Sequence, residues 1–202
     1  MRLYSYVVAR DYGFAPNPFH GTCTLATCKP EIRKTAQVGD LIIGTGSKTL
    51  ERRGYLVFAM KVSEHMTFDK YWTDRRFRQK RPNLRGSWKQ AYGDNIYNWD
   101  KDRDCWRQED SHHSKSDGTP NLKNIRNDTR VDRVLVGRHF AYWGGEGPKI
   151  PLKIRKLGDL DICHSGRGHR CNFSEEQVQH FCGWLLSLRQ TGYRGKPLEW
   201  ST

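Results

Sequence analysis

The sequence lacks a long apolar run and has few apolar residues overall. Of its 202 residues, 36% are hydrophobic, and no stretch approaches the roughly 18 consecutive apolar residues of a membrane-spanning helix. The N-terminal stretch MRLYSYVVARDYG contains no hydrophobic region of the kind found in secretory signals. We therefore expect a soluble protein of the cytoplasm that has no membrane partner.

The common signatures of enzyme active sites are also missing. The sequence contains no glycine-rich dinucleotide fingerprint, no Walker motif, no serine elbow and no HExxH zinc motif. These absences exclude the commonest chemistries, although not every chemistry, and the sequence identifies no cofactor. It contains no internal repeat and no low-complexity linker, and its length predicts one domain over residues 1–202.

Six cysteines are present, but the sequence does not favour disulfides. A chain of this length buries roughly 70% of its unfolded surface and does not depend on covalent cross-links. Because no secretory signal is found, we expect all six to be reduced. They are Cys23, Cys28, Cys105, Cys163, Cys171 and Cys182.

An excess of positive charge is the main feature of the composition. The chain has 35 Lys and Arg residues against 22 Asp and Glu, a net charge of +13, and 12% of its residues are aromatic. Residues 70–89 carry eight basic side chains and one acidic one, with four large aromatic residues between them, and residues 149–170 form a second basic stretch. Basic groups neutralise phosphates and aromatic rings stack on bases, so this pattern favours DNA or a nucleotide as the partner. The alternative is a solvated helix face beside ordinary core aromatics.

Hydrophobic periodicity predicts a mixed fold. The predicted strands are Leu3–Ala9, Thr22–Ala26, Leu41–Ile43, Tyr55–Val62 and Val131–Phe140. The predicted helices are Pro30–Ala36, Thr67–Phe77 and Ser174–Gln190, the last with a capping box. Residues 78 to about 130 lack periodicity and are predicted as a long, ordered, loop-rich insertion. Strands grouped early in the chain predict an α+β fold built on a small curved mixed sheet or a PUA-like β-barrel with flanking helices.

Three polar segments are candidate sites. Gly44–Ser47 follows a strand and could bring backbone N–H groups near an anion, although a tight turn is the favoured interpretation. The adjacent histidines of Asp110–Ser114 could act as an acid–base pair, ligate a metal or be exposed. In His164–Cys171, glycines flank Arg167, which favours a loop that binds an anion or a base. The alternatives for that loop are a surface turn and a zinc site made of Cys163, His164, His169 and Cys171.

Several long segments of the chain have an unusual sequence. In order they are DYGFAPNPF, CTLATCKPEIRKTAQVGDLIIGTGS, YGDNIYNWD, DSHHS and GRGHRCNF. Through them the chain resembles the second of the nucleotide modification associated domain families, from Leu3 to about Trp200. The resemblance implies a role in DNA base hypermodification in phage or bacterial settings, with DNA-modification enzymes as possible partners, and it assigns no catalytic residue. The segment VGDLIIGTGS also has a weaker likeness to PUA, ASCH and EVE barrels, which bind modified bases or RNA.

Three hypotheses for the function follow. The first is a module that recognises or processes modified DNA bases or nucleotides, in which aromatic side chains hold the base and basic ones hold its phosphate. The second is an enzyme that acts on a nucleotide or DNA base, with His112, His113 and His169 as the acid–base groups. The third is a non-catalytic partner in a modification complex. The predicted binding residues are Tyr12, Phe14, Asn17, Phe19, Thr45, Ser47, Trp88, Tyr92, Asn95, Arg167, His169 and Arg170.

Overall fold

The computed structural model describes residues 1–49, 51–157, 160–163 and 166–201. The strands are β1 (Leu3–Val8), β2 (Cys23–Leu25), β3 (Leu41–Gly46), β4 (Leu56–Lys61), β5 (Glu64–Met66), β6 (Tyr97–Asp100), β7 (Cys105–Gln108), β8 (Val134–Gly137), β9 (His139–Tyr142) and β10 (Gly192–Tyr193). The α-helices are α1 (Pro30–Thr35), α2 (Phe68–Thr73), α3 (Trp88–Ala91), α4 (Leu122–Thr129), α5 (Leu152–Arg155) and α6 (Glu175–Ser187). This mixture of elements confirms the predicted α+β class. None of the helices in these ranges has both the length and the apolar character needed to cross a bilayer.

The chain divides into two compact units. The first unit consists of Met1–Tyr12, Ala36–Val62 and Arg138–Thr202, and the second of Gly13–Thr35 and Ser63–Gly137. Each unit has its own sheet and its own core.

A five-stranded mixed sheet forms the centre of the first unit, in the order β1-β3-β4-β9-β10. The pairs β1–β3 and β9–β10 are parallel and the others antiparallel, and over the described residues the sheet does not close into a barrel. Helix α6 contributes Phe181 to a core that includes Ile43 and Leu56. The hydroxyl of Ser174 accepts the Gln177 N–H at 3.2 Å, which confirms the N-terminal cap expected for α6.

The second unit contains a three-stranded antiparallel sheet, β2-β8-β5, and the separate hairpin β6–β7. The rings of Phe68 and Tyr97 meet edge to face at 5.3 Å, which packs α2 against β6. Trp99 and Trp106 are opposite each other in the hairpin, with their ring centres 5.2 Å apart. Aromatic packing therefore supplies much of the core of this small unit.

Three segments differ from their predicted form. The prediction of one strand over Val131–Phe140 was wrong, because β8 pairs with β2 and β5 whereas β9 pairs with β4 and β10. The helix predicted over Thr67–Phe77 ends at Thr73, where the Asp74 side chain caps a following 3-10 turn. The segment from 78 to 130 contains α3, β6, β7 and α4, which are too short to give a detectable period in the sequence.

Candidate active site

A cysteine, a histidine and an aspartate from three parts of the second unit come together. Cys28 lies between β2 and α1, His113 lies in the loop after β7, and Asp128 lies in α4. The Cys28 Sγ is 3.6 Å from His113 Nε2, and His113 Nδ1 is 2.9 Å from Asp128 Oδ2. The imidazole therefore stands between the thiol and the carboxylate, with one ring nitrogen facing each. We call this arrangement the triad.

Asp128 is the fully buried anchor of the triad. Besides His113, its Oδ2 accepts the Tyr97 hydroxyl at 2.9 Å, and its Oδ1 accepts the backbone N–H of Cys28 at 2.8 Å. Because this carboxylate already accepts hydrogen bonds from its other neighbours, an N–H at His113 Nδ1 completes its set of donors. This leaves Nε2 to exchange a proton with the Cys28 sulfur.

Cys28 occupies a strained turn between a strand and a helix. Its φ is +56° and that of Lys29 is +40°, so two consecutive residues with side chains adopt the left-handed conformation. Such a conformation costs roughly 1 to 2 kcal/mol per residue and persists only where the surrounding structure holds it. A nucleophile on a sharp strand-to-helix turn is also the arrangement of the elbow that presents the serine of α/β-hydrolases.

The buried Arg33 side chain joins the two segments that carry the thiol and the carboxylate. Its Nε donates to the Cys28 carbonyl at 3.0 Å, and one terminal nitrogen donates to the Asp128 carbonyl at 2.5 Å. The other donates to the carbonyls of Val131 and Arg133, each at 2.7 Å. Burial lowers the pKa of Arg33 to about 10, although nearby Asp128 opposes the shift. Arg33 remains a cation at neutral pH and fixes the backbone on both sides of the triad.

Hydrogen bonds from neighbouring elements orient His113. Its carbonyl accepts the side-chain amides of Asn124 at 2.7 Å and Gln108 at 3.3 Å. Burial opposes its protonation, but hydrogen bonds to Asp128 and Cys28 outweigh burial and raise the pKa of His113 to about 9. The imidazole is therefore a cation at neutral pH, and its Nε2 stands 3.6 Å from the Cys28 sulfur.

The triad residues are of types that bind metals, and their ligand atoms all lie within 4.8 Å of one another. A bound ion would need the sulfur, one ring nitrogen and a carboxylate oxygen to face a common point. Nε2 of His113 is within contact distance of the sulfur and Nδ1 of the carboxylate, so the same three residues offer either proton exchange between neighbours or ligation of an ion.

An aromatic cavity of about 340 Å³ lies beside the triad in the same unit, and Trp88, Tyr92 and His112 are among its lining residues. The rings of Tyr92 and His112 are 5.3 Å apart, edge to face. The ring of Phe14 packs against both histidine rings, with its centroid 5.3 Å from that of His112 and 4.6 Å from that of His113. The cavity wall is thereby continuous with the ring of the triad histidine. Trp88 is 52% exposed, so a planar ligand has an accessible ring to stack on.

A buried polar network supports one wall of this cavity. The fully buried Lys80 ammonium donates to the Asn17 carbonyl at 3.0 Å and to its side-chain oxygen at 2.6 Å. The Asn17 amide in turn donates to the Tyr92 carbonyl at 2.9 Å. Burial lowers the pKa of Lys80 to about 8, against the attraction of Asp94. The buried Asn17 therefore helps to position Tyr92, which lines the cavity.

Comparison with known proteins identifies the family. A family model described as nucleotide modification associated domain 2 matches residues 1–202, the whole chain. The chain belongs to this family. Searches of curated proteins and of solved structures found no match. Membership in the nucleotide modification associated domain 2 family confirms the resemblance seen in the sequence and associates the chain with the modification of DNA or nucleotides.

Within this member of the family, the predicted site residues are divided between the two units. In the second unit, Phe14, Trp88, Tyr92, His112 and His113 surround the cavity and the triad, as described above. Three further predicted residues of that unit, Asn17, Phe19 and Asn95, are buried. The first unit holds Tyr12, Thr45, Ser47, Arg167, His169 and Arg170.

The residues in the first unit have other surroundings. His169 packs against the ring of Tyr4 at 5.8 Å, and the Arg170 backbone exchanges two hydrogen bonds with Ser5. Arg167 is exposed, whereas Thr45 is fully buried within β3. His164, one of the four residues of the possible zinc site, lies outside the described residues.

The predicted basic segment is partly engaged in structure. Lys80 is buried, Arg76 forms ion pairs with Glu64 and Asp74 at 2.7 Å, and Arg81 stacks over the Trp72 ring at 3.7 Å. The remaining basic side chains of residues 70–89 form a smaller exposed patch than the count of charges implies.

Sequence reasoning missed Cys28 and Asp128. Cys28 had a usable signal, because it stands after a predicted strand and two residues before the proline that begins a predicted helix. Asp128 had none, since it lies in the segment without periodicity and reaches the site only through the fold.

Proposed function

We propose that this protein is a thiol-dependent enzyme that processes a nucleotide or a DNA base in a modification reaction. Cys28 is the nucleophile, His113 donates and accepts the protons of the reaction, and Asp128 orients the imidazole. The observation that carries the proposal is the contact of Sγ with Nε2 at 3.6 Å together with that of Nδ1 with the buried carboxylate at 2.9 Å. Family membership supplies the class of substrate.

The local structure supports catalysis over binding alone. A module that only recognises a base does not need a buried carboxylate, a left-handed turn at a cysteine and a guanidinium that braces both. Strain and buried polar groups of this kind are typical of reactive sites, where they hold a nucleophile in one geometry. We therefore place the enzyme ahead of the binding module that the sequence favours.

A base-binding module is the second candidate, and the aromatic cavity is the observation that favours it. Trp88 and Tyr92 offer ring faces for a base, and the exposed basic residues Arg85 and Lys89 lie within three residues of Trp88 in the sequence. The two candidates share this cavity, since an enzyme acting on a base must also bind it. They differ in what loss of the thiol does.

The test is to incubate the protein with nucleotides and with short DNA that carries plain or modified bases. After an acid quench, intact mass spectrometry of the protein and nucleoside analysis of the substrate report on covalent and chemical change. We expect conversion with the wild type and with Cys105→Ser, whose thiol is exposed, and none with Cys28→Ala. Tight binding of a modified base by wild type and Cys28→Ala alike, with no conversion by either, would establish the binding module instead.

A further inference from the structure

The cavity lies beside the triad, but the Cys28 thiol is not part of its lining. Of the described residues that line the cavity, His112 is the one nearest in sequence to the triad, and Cys28 and His113 are not among them. The ring of Phe14 packs against both histidines. A planar base held against Trp88 and Tyr92 thus lies in a cavity that the sulfur itself does not line. A group joined to the base by a short arm is what can reach Cys28.

We infer that Cys28 forms a thioester with an acyl group carried on a side arm of the base that occupies the cavity. This inference rests on the proposed function and specifies its reaction as acyl transfer. It differs from attack of the thiol on a carbon of the base ring, which requires the sulfur to lie within the ring's own pocket.

The reaction balances with groups that the triad supplies. The thiolate attacks the carbonyl carbon of an ester or amide, the C–S bond forms, and the bond to the leaving alcohol or amine breaks as His113 donates its proton to that group. A second nucleophile, water or an amine, then attacks the thioester carbonyl and gives its proton to His113. The C–S bond breaks and the Cys28 thiolate is restored. No oxidant or reductant is required.

The surroundings of the sulfur agree with this reaction. A histidine fixed between a thiol and a buried carboxylate serves both proton transfers of this reaction, to the leaving group and from the second nucleophile. The Cys28 N–H is already bonded to Asp128, so another donor must meet the charge that develops on the carbonyl oxygen.

The test compares three probes on one protein: p-nitrophenyl acetate, the p-nitrophenyl ester of thymine-1-acetic acid, and 5-fluorodeoxyuridine monophosphate, whose C6 is activated toward addition of a thiol. Release of p-nitrophenol and intact mass after an acid quench measure acylation. Because the ring nitrogen activates the thymine ester by itself, each rate is divided by that of the same ester with a free small thiol. We then expect acylation of Cys28 that hydroxylamine reverses, at least tenfold faster with the thymine ester than with the acetate. Trp88→Ala should bring this normalised rate for the thymine ester down to that of the acetate, and Cys28→Ala should not be acylated at this position.

Each contrary result has a distinct meaning. If the thymine ester acylates Cys28 no faster than the acetate does, the inference is wrong that the cavity holds the base while its acyl arm reaches the thiol. A stable adduct of Cys28 with the fluoropyrimidine, without acylation, would replace acyl transfer by ring addition and leave the thiol enzyme standing. If Cys28 is acylated no faster than the exposed Cys105 and forms no adduct with the fluoropyrimidine, the proposal of a thiol-dependent enzyme is wrong as well.

Discussion

The backbone N–H of Cys28 donates to Asp128 Oδ1 at 2.8 Å, so the carboxylate that orients the histidine also holds the turn that presents the thiol. The second oxygen of the same carboxylate is 2.9 Å from His113 Nδ1. One buried side chain therefore sets the positions of both reacting groups.

Asp128→Asn should show whether the carboxylate at this position activates the thiol or only stabilises the fold. An amide can still accept the Cys28 N–H, but it presents an NH₂ to His113 and to Tyr97, which disfavours the tautomer with a proton on Nδ1. We expect Cys28 alkylation by iodoacetamide at pH 7 to slow at least tenfold. Far-UV circular dichroism should match the wild type. Unchanged alkylation would show that the carboxylate serves the fold alone.

The elevated pKa of His113 predicts a pH-dependent stability. A group whose folded-state pKa, here about 9, exceeds its usual value of 6.5 contributes stability that is complete below pH 6.5 and is lost as the pH rises through 9. Urea unfolding of the wild type should lose roughly 1 to 3 kcal/mol between these pH values. His113→Asn should remove most of that slope. Lys80 acts in the opposite direction, because its folded-state pKa of about 8 lies below its usual 10.5 and its contribution to stability rises with pH. An unchanged loss of stability in the variant would show that His113 is not its source.

Arg33 should be among the most sensitive positions for stability. Arg33→Met removes every donor to the carbonyls of Cys28 and Asp128, and buried acceptors without partners are costly. We expect a loss on the order of 3 to 5 kcal/mol in urea unfolding, with a smaller loss for Arg33→Lys. The matched control is Arg130→Ala, because Arg130 forms an exposed ion pair with Glu31 in the same unit. That variant should change stability by less than about 1 kcal/mol.

Asn17 should affect ligand binding without touching the ligand. Asn17→Ala removes the hydrogen bond to the Tyr92 carbonyl and leaves the Lys80 ammonium with fewer acceptors. We expect weaker quenching of tryptophan fluorescence by nucleosides and lower stability together. Trp88→Ala, at an exposed position, should weaken nucleoside binding with little change in stability. If both variants bind nucleosides with the same affinity as the wild type, the cavity is not where the nucleoside binds.

The sequence predicts the regular elements of this protein better than its site. Apolar periodicity predicts long segments such as β1, and periodicity with a capping residue, Ser174, predicts α6. Both elements lie close to their predicted bounds. His113 was a candidate because paired histidines in a polar loop are unusual. Its partners could not be predicted, since Cys28 and Asp128 are 85 and 15 residues away in the chain and meet His113 only through tertiary contacts.

The rate of Cys28 alkylation as a function of pH, resolved by peptide mass spectrometry, tests the central claim most directly. The exposed Cys105 is an internal reference in every sample, and EDTA in parallel samples removes any effect of metal ions. The triad predicts that Cys28 reacts at least tenfold faster than Cys105 at pH 6 to 7, with or without EDTA, and that His113→Asn abolishes this advantage. Equal rates for the two cysteines across the pH range, unaffected by His113→Asn, would contradict activation of the thiol.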